Sequence, residues 1–352
     1  MKKLLVITVY IFLFIASTGC SHNAELPVEA NEPEMENTVN PFQSNDEDIG
    51  IMGSISHGPS ILNVDENNHR VPWVYDGKEI YIEYRVKASG KAKNMGFFIF
   101  VDGIPQPYKV DDTKAPYEYM HTFELKEDDV DLPFTFIFSP VTGKQGETLD
   151  LTITSIYNPR FMPDMNETSS YGGYHGLLPA FYQLSFEADG KAPDDQSREV
   201  KGTINLSKEP VTNKFMEILN NNNFMQDIDM DVFNSQIFSL IYYDGSSIMD
   251  HYKINDDGTL HVTYKLCGHG GLEYTTTFYI NHQPISIGEG TSIDTTIEKG
   301  SVSVIELDIN LDNLEDFNTF YAISAPKNAR DFPDGIFEAE KTQSILLYKK
   351  GE

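Results

Sequence analysis

Cysteine and positive charge are both scarce in this chain of 352 residues. Two cysteines are present, at positions 20 and 267, and 26 Lys and Arg residues stand against 54 Asp and Glu residues, for a formal charge of −28. A surface this negative repels phosphate backbones, so the composition argues against nucleic-acid binding. It is compatible with a soluble surface domain that attracts cations or basic partners.

Recognisable catalytic motifs are also missing. The chain has no Gly-x-Ser-x-Gly, no His-Glu-x-x-His, no phosphate-cradling glycine loop and no dinucleotide fingerprint, since Gly288-Glu289-Gly290 lacks the third glycine. Carboxylate pairs for glycoside hydrolysis carry no information in a chain this acidic. The sequence therefore favours a protein that is not an enzyme, with a carboxylate-based glycan hydrolase as the alternative.

The N-terminus has the layout of a secretory signal peptide. Lys2 and Lys3 precede an apolar run over residues 4–16, which is shorter than the ~20 residues of a membrane-spanning helix. The run is followed by Ser17-Thr18-Gly19-Cys20, which resembles the lipobox of bacterial lipoproteins. The resemblance implies that residues 1–19 are removed and that Cys20 carries a lipid. The remaining chain would then be anchored, without spanning, on the extracytoplasmic face of the cell membrane.

An acidic tether is expected after Cys20. The chain contains no Lys or Arg between Lys3 and Arg70, and residues 20–55 are rich in Glu, Asp, Asn and Pro. Such a segment buries too little apolar surface to offset the entropy lost on ordering, so we expect it to be disordered. With Cys20 lipidated, Cys267 has no partner and the fold must be stable without a disulfide.

The rest of the chain shows the period-two alternation of apolar and polar residues that is typical of β-strands. One stretch of this alternation occurs twice. Four alternating apolar residues recur 180 positions later: Ile80, Ile82, Tyr84 and Val86 correspond to Leu260, Val262, Tyr264 and Leu266. The same offset places Phe98 on Phe278, and after a one-residue slip Pro105 falls on Pro284. We interpret this as an internal duplication in which each copy begins with a hairpin. With this offset the Asp102-Gly103 turn of the first copy becomes His282-Gln283, so different turn chemistry is expected.

These patterns predict an all-β chain with two related β-sandwich, Ig-like domains in tandem after the tether. The expected boundaries are 56–190 and 191–352, with a polar linker over residues 188–200. One short helix is expected near residues 211–219 of the second domain, where Phe215, Ile218 and Leu219 share a helical face.

Two groups of residues are candidate metal ligands. The second copy contains His251, His261, Cys267, His269 and His282. On a hairpin only Cys267 and His269 could meet, and two ligands do not make a structural zinc site.

Asp227, Asp229 and Asp231 have the spacing that begins an EF-hand calcium loop. The loop's glycine and glutamate positions are Val232 and Phe238, so the motif fails. The alternating apolar residues between the aspartates instead predict a strand with an acidic outer face. Calcium stays a possible ligand of that face, and no other cofactor is predicted.

A loop that only the first copy has, residues 165–181, is the best candidate for ligand binding. Tyr171, Tyr174 and His175 lie among glycines there, and such rings offer flat apolar area with a polar tip. The alternative is a loop that packs on its own aromatic residues. The leading hypothesis is a membrane-anchored surface lipoprotein that binds a glycan, peptide or protein. A purely structural envelope lipoprotein is a further alternative.

Overall fold

The structure is a computed structural model that describes residues 53–161, 175–191, 200–222, 227–247, 251–254, 258–288, 290–311, 314–332 and 339–349. All of these residues belong to one compact unit, Gly50–Glu352. The predicted signal segment, Cys20 and nearly all of the predicted tether lie outside the described residues. Tyr171 and Tyr174 also lie outside them.

The first part of the described chain forms a β-sandwich. Its strands are β1 (Ile55–Pro59), β2 (Trp73–Tyr75), β3 (Ile80–Ala88), β4 (Asn94–Val101), β5 (Ile104–Gln106), β6 (Lys109–Val110), β7 (His121–Glu124), β8 (Leu132–Phe138), β9 (Thr148–Tyr157) and β10 (Leu177–Phe186). One sheet has the order β1-β3-β8-β6. The other has the order β2-β10-β9-β4-β5, and β7 also pairs with β4.

The alternation read from the sequence places the core between these two sheets. In β3 the side chains of Ile82, Tyr84 and Val86 are at most 1% exposed, whereas Tyr81 on the opposite face is 55% exposed. The buried residues of β3 pack against those of β4, β8, β9 and β10 in one hydrophobic cluster. Each large apolar side chain buried this way contributes roughly 1.5–3 kcal/mol, so the core can stabilise the fold without a disulfide.

The second part of the described chain forms another β-sandwich with two helices. Its elements are β11 (Lys201–Pro210), α1 (Asn213–Asn222), α2 (Met230–Phe233), β12 (Ile237–Tyr243), β13 (Ser246–Ser247), β14 (His251–Lys253), β15 (Thr259–Gly268), β16 (Glu273–Ile280), β17 (Gln283–Pro284), β18 (Ser286–Ile287), β19 (Ser292–Thr296), β20 (Ser301–Asn310), β21 (Phe317–Pro326), β22 (Glu340–Lys341) and β23 (Ile345–Tyr348). The sheets have the orders β13-β12-β15-β20-β11-β18 and β14-β23-β21-β16-β17. The prediction of an all-β chain with tandem β-sandwich domains is confirmed.

The two sandwiches use one pairing scheme. In the first, β3 pairs with β8, while β4, β9, β10 and β2 follow one another in the facing sheet. In the second, β15 pairs with β20, while β16, β21, β23 and β14 follow in the same way. Even the parallel contact recurs, since β2 runs parallel to β10 and β14 runs parallel to β23. The sequence repeat therefore corresponds to a repeat of strand pairing.

The predicted opening hairpin is wrong in both copies. β3 and β4 belong to different sheets, as do β15 and β16, so each connection crosses from one sheet to the other. The one-residue slip of the alignment lies in this crossing. Ile99 and Phe278 both face their cores, so β4 and β16 correspond at an offset of 179, and Phe98 does not correspond to Phe278. Alternation fixes which side chains share a face but does not say in which sheet the next strand pairs.

The predicted alignment of the following turn is wrong by one residue, because Asp102-Gly103 corresponds to Asn281-His282, and the two turns share one backbone geometry although their residues differ. Asp102 and Gly103 have φ values of 53° and 75°, and Asn281 and His282 have φ values of 49° and 65°. Each pair forms a two-residue turn, after which Val101 pairs with Ile104 and Ile280 pairs with Gln283. Left-handed backbone at both central positions is the geometry that matches the twist of paired strands, and Asn, Asp and Gly accept it most readily.

Equivalent sheets of the two sandwiches pack against each other. Phe98, Phe100 and Ile156 of the first sandwich form one buried cluster with Tyr279, Tyr321 and Ile323 of the second, together with Met120. The rings of Phe98 and Tyr279 meet at 5.3 Å in an edge-on arrangement. The outward faces of β4 and β16 are therefore buried, because each is covered by the other sandwich.

The helices cover the outer face of the second sandwich. Phe215 and Leu219 of α1 pack on Cys267 and Val302, with Phe233 of α2 in the same cluster. α1 lies close to the predicted helix but begins two residues later and continues further. No helix in the described part of the chain is long and apolar enough to cross a membrane.

Candidate functional site

A groove opens at one end of the first sandwich, next to the second. It lies between residues 61–72 and β10, and its volume is about 270 Å³. The residues that line it are Leu62, Asn63, Arg70, Val71, Trp73, Asp150, Phe181, Tyr182, Gln183 and Arg330. Its lining combines aromatic rings with two guanidinium groups, which the sequence alone did not bring together.

Local hydrogen bonds shape the connection between β1 and β2 that forms one wall. The Asp65 carboxylate accepts the backbone N–H groups of Asn67 at 2.9 Å and His69 at 2.8 Å. The Asn63 side-chain amide donates to the carbonyl of Pro72 at 2.8 Å. Such Asx contacts replace the strand ladder that the segment lacks. They hold this wall in place next to the strand edge.

Aromatic residues form the floor of the groove. Trp73, the only tryptophan of the chain, meets Tyr182 edge to face at 5.0 Å between ring centroids. Phe181 points to the opposite face of β10 and is 43% exposed. Rings placed in this way offer apolar contact area at little cost in side-chain entropy. The floor can therefore hold a ligand with apolar faces.

The guanidinium of Arg70 lies over this floor. Its Cζ atom is 6.0 Å from the centre of the Tyr182 ring. None of the salt bridges formed within the described part of the chain includes Arg70, whereas Arg330 and Arg85 each have an aspartate partner. An arginine with its fork of donors open binds carboxylates well. Arg70 thus adds a site for negative charge to a groove on an otherwise acidic protein.

The second sandwich contributes the remaining wall. Arg330 lies in a 3₁₀ turn, Ala329–Asp331, and its Nε is 2.9 Å from a carboxylate oxygen of Asp150 on β9. Arg330 also donates to the carbonyl of Thr148 at 3.3 Å. Burial raises the pKa of Asp150 even though Arg330 opposes that shift. The groove therefore depends on both sandwiches.

The edge of β10 lines the groove. β2 pairs with only Leu184–Phe186, so residues 177–183 pair with no described strand on that side. The ring of His57 on β1 lies near the start of this stretch, with its Nε2 3.0 Å from the carbonyl oxygen of Leu178. The backbone N–H of Glu187 bonds to Tyr75 on β2, and that of Phe186 bonds to Glu147 on the β9 side. Main-chain groups alternate along a strand, so those of Phe181 point toward the open edge.

His175 lies in a different place, between the two sandwiches. It is 1% exposed, its ring centroid is 6.0 Å from that of His282, and burial lowers its pKa to about 3. In this position it does not form part of an exposed binding loop. With Tyr171 and Tyr174 outside the described residues, ligand binding by this loop stays a prediction.

His282 connects the two sandwiches directly. Its Nε2 is 2.6 Å from the carbonyl oxygen of Pro159, and its Nδ1 is 2.8 Å from the hydroxyl of Tyr321. A neutral ring satisfies both contacts, donating through Nε2 and accepting through Nδ1. Burial lowers the pKa of His282 to about 4. Nearby, Lys341 lies 4.5 Å above the Tyr321 ring, and burial lowers its pKa to about 7.

The predicted acidic strand is wrong. Asp229 caps the N-terminus of α2, where its carboxylate accepts the backbone N–H groups of Asp231 at 2.9 Å and Val232 at 2.8 Å. Asp227 is exposed just before the helix. The capping preference of aspartate outweighs the period-two pattern over so short a segment. Calcium binding by these residues stays a prediction.

The histidines and Cys267 are far from forming one site. Cys267 lies under the helices, where burial raises its pKa to about 12, and His269 packs on Phe332 at 5.0 Å between ring centroids. The described residues contain no group of three or more His, Cys, Asp or Glu side chains placed to hold a metal ion.

Comparison with known proteins identifies no family. No protein-family model matches the chain, and no curated protein matches it at a significant level.

Solved structures align with much of the chain but with very low similarity. A CsuC–CsuE chaperone–tip adhesion subunit complex from Csu pili of Acinetobacter baumannii covers 85% of this chain and 100% of its own, at 10% identity and a TM-score of 0.19. CBD12 from CALX1.2 covers 79% of this chain and 96% of its own, at 8% identity and a TM-score of 0.19. The C-terminal domain of the Streptococcus pyogenes antigen I/II-family protein AspA covers 84% and 99%, at 8% identity and a TM-score of 0.19. At these TM-scores the alignments carry no argument about function.

Proposed function

We propose that this protein is a lipid-anchored, extracytoplasmic binding protein that holds its ligand in the groove between residues 61–72 and β10. The observation that carries the proposal is the meeting of Trp73, Tyr182 and the open guanidinium of Arg70 in one concave site. Concave sites with aromatic walls and a few polar groups are the usual form of ligand sites.

The chemistry of the groove favours binding over catalysis. Hydrolysis of a glycoside needs two carboxyl groups on either side of the scissile bond. Among the described residues that line the groove, Asp150 is the one carboxylate, and it is engaged by Arg330. The groove is therefore equipped to hold a ligand and to neutralise its charge.

The anchor rests on the N-terminal sequence. Cys20 at the end of the apolar segment supports lipidation, and the acidic residues 21–52 would separate the sandwiches from the membrane surface. Replacing Cys20 by Ser should release the protein from the membrane fraction. Continued membrane attachment of Cys20→Ser would contradict the anchor without bearing on the groove.

The single tryptophan makes the groove directly observable. We expect ligands of the groove to shift or quench Trp73 fluorescence, excited at 295 nm, in the full-length chain held in a nonionic detergent. The probes are two panels, soluble oligosaccharides and synthetic peptides. Arg70→Ala should weaken the response, while Arg85→Ala, which removes an arginine from another part of the first sandwich, should not. The proposal fails if neither panel changes the fluorescence.

A further inference from the structure

We infer that the groove binds an extended peptide, which adds as a strand to the open edge of β10 and places an acidic group on Arg70. This inference rests on the proposed function and specifies its ligand. It follows from three observations: a strand edge that pairs with no described strand, a wall that leaves space beside it, and a positive charge above it.

The strand edge is the first observation. Glu187 donates its backbone N–H toward β2, so the alternate residues Gln183, Phe181 and Pro179 direct their main-chain groups to the same side. Pairing with β2 begins only at Leu184, opposite Trp73. Main-chain donors and acceptors repeated every second residue match another extended peptide backbone. A glycan could not satisfy such a repeat in the same way.

Pro179 agrees with this orientation. Proline is tolerated in a strand when its nitrogen faces a side without ladder hydrogen bonds. At Pro179 the nitrogen faces the open edge, and the strand still pairs with β9, where Pro179 lies opposite Thr154. The edge available to a peptide therefore extends from the carbonyl of Pro179 to the N–H of Gln183.

The space beside the edge is the second observation. Residues 70–72 would continue β2 along β10, but the chain turns away there. Arg70 instead forms an isolated antiparallel β-bridge with Val64. The gap that remains is the groove of about 270 Å³. A strand lying in it would direct alternate side chains to the Trp73–Tyr182 side and to the Phe181 side, because successive side chains of a strand point to opposite faces.

The third observation is the charge of Arg70, which favours a peptide that carries an acidic group. Arg70 has no carboxylate partner within the described part of the chain, although acidic residues outnumber basic ones by 54 to 26. A peptide with an aspartate, a glutamate or a C-terminal carboxylate at this point supplies the missing partner. Charge-assisted pairs with arginine are among the stronger polar contacts, and they also fix the register.

The test begins with a phage-displayed library of random nonapeptides, selected on the full-length chain and depleted on Gln183→Pro. That substitution removes one edge-facing N–H and leaves the β9 side of the strand intact, as Pro179 already does. Gln183→Ala is the matched control, since it loses the side chain and keeps the N–H. We expect peptides with an acidic residue at a fixed position, which bind Gln183→Pro about tenfold more weakly than they bind Gln183→Ala, because the two variants differ in the edge-facing N–H.

Resynthesised peptides then test the strand geometry through Trp73 fluorescence. Methylating alternate backbone nitrogens of the peptide should weaken binding by about tenfold, while methylating the nitrogens between them should have little effect. Replacing the acidic residue should weaken binding to the wild type and have no further effect on Arg70→Ala. These two measurements decide the question even if Gln183→Pro does not fold.

The inference is overturned if no peptide is enriched, if every methylation has the same effect, or if the acidic residue acts independently of Arg70. An oligosaccharide response of Trp73 without any peptide response would overturn the peptide and leave the proposed binding function standing. No response to either would overturn both.

Discussion

The two sandwiches pair their strands in the same order but differ at one edge. In the first, β10 is ten residues long and β2 covers only its last part, from Leu184 to Phe186. In the second, β23 is four residues long, and β14 pairs with it from Leu346 to Tyr348. The edge that is open in one sandwich is therefore nearly closed in its counterpart. Function is better sought where the copies differ than where they agree.

The outer faces differ as well. The second sandwich has β11, which pairs beside β20, and two helices, which bury the outer side of β15 and β20. Neither feature has a counterpart in the described part of the first sandwich. The faces of β4 and β16 instead cover each other, with Phe98 and Thr277 at equivalent positions opposite Thr154 and Ile323. Phenylalanine at one position and threonine at the other shows that the interface is not symmetric in its side chains.

The largest expected effect is the loss of stability when the phenylalanine of this interface is removed. Phe98 is fully buried between the sandwiches, so Phe98→Ala should lower the free energy of unfolding by about 3–5 kcal/mol. Thr277→Ala, at the equivalent position, should cost about 1 kcal/mol, because it removes a methyl group and the hydrogen bond to Ser292. Denaturant unfolding followed by Trp73 fluorescence measures both. Equal losses of stability in the two variants would mean that Phe98 contributes no more to the interface than Thr277 does.

A second prediction concerns pH, because His282 joins the sandwiches in its neutral form. Its pKa falls from 6.5 to about 4 on burial, so the folded protein binds a proton less readily than the unfolded chain. The stability is then fully present above pH 6.5 and declines as the pH falls toward 4, by about 3 kcal/mol at most. Unfolding measured at pH 7 and pH 5 should show part of this loss, about 2 kcal/mol.

The control for pH is His282→Asn, since asparagine accepts the positive φ of this turn position. The variant should lose less stability between pH 7 and pH 5 than the wild type does. His175, whose pKa is lowered by burial and to a smaller extent by the charges of Lys341 and His282, contributes to both proteins, with a smaller shift in the variant. An identical pH dependence in the two proteins would contradict the role given to His282.

The smallest expected effect is a difference in stability loss between substitutions at two turn glycines, Gly103 and Gly245. Gly103 has φ 75° and packs on the second sandwich, where an added Cβ would lie 2.9 Å from the Cβ of Thr275 and 3.1 Å from the carbonyl oxygen of Ala325. Gly245 has φ 78° with nothing within 4 Å of the added atom. Both substitutions to alanine should cost about 1–2 kcal/mol for the left-handed backbone.

The difference between the two glycines isolates the packing. We expect Gly103→Ala to cost about 1–2 kcal/mol more than Gly245→Ala, because the Thr275 side chain and the strand backbone must shift. Thermal unfolding of the two variants side by side measures it. Equal losses would indicate that the turn does not press on the second sandwich.

Much of the fold was predictable because alternation is a local property. Ile82, Tyr84 and Val86 are buried with the period that the sequence shows, and the same holds for Val262, Tyr264 and Leu266. The predicted hairpin failed because the choice of partner strand depends on contacts that are distant in sequence. The predicted strand at Asp229 and Asp231 was wrong for a local reason, since a capped helical turn and a short strand have similar patterns over five residues.

The sequence by itself determined the fold class of this protein, through an alternation that specifies β-sandwiches and a repeat that specifies two of them. The tertiary structure alone decided where the groove of the proposed ligand site lies. Trp73, Asp150, Tyr182 and Arg330 are far apart in the chain, and only the packing of β2, β9, β10 and the second sandwich places them around one groove. Residue type and periodicity record which side chains are buried, but a site made by strand edges and domain contacts depends on distances that no local pattern contains.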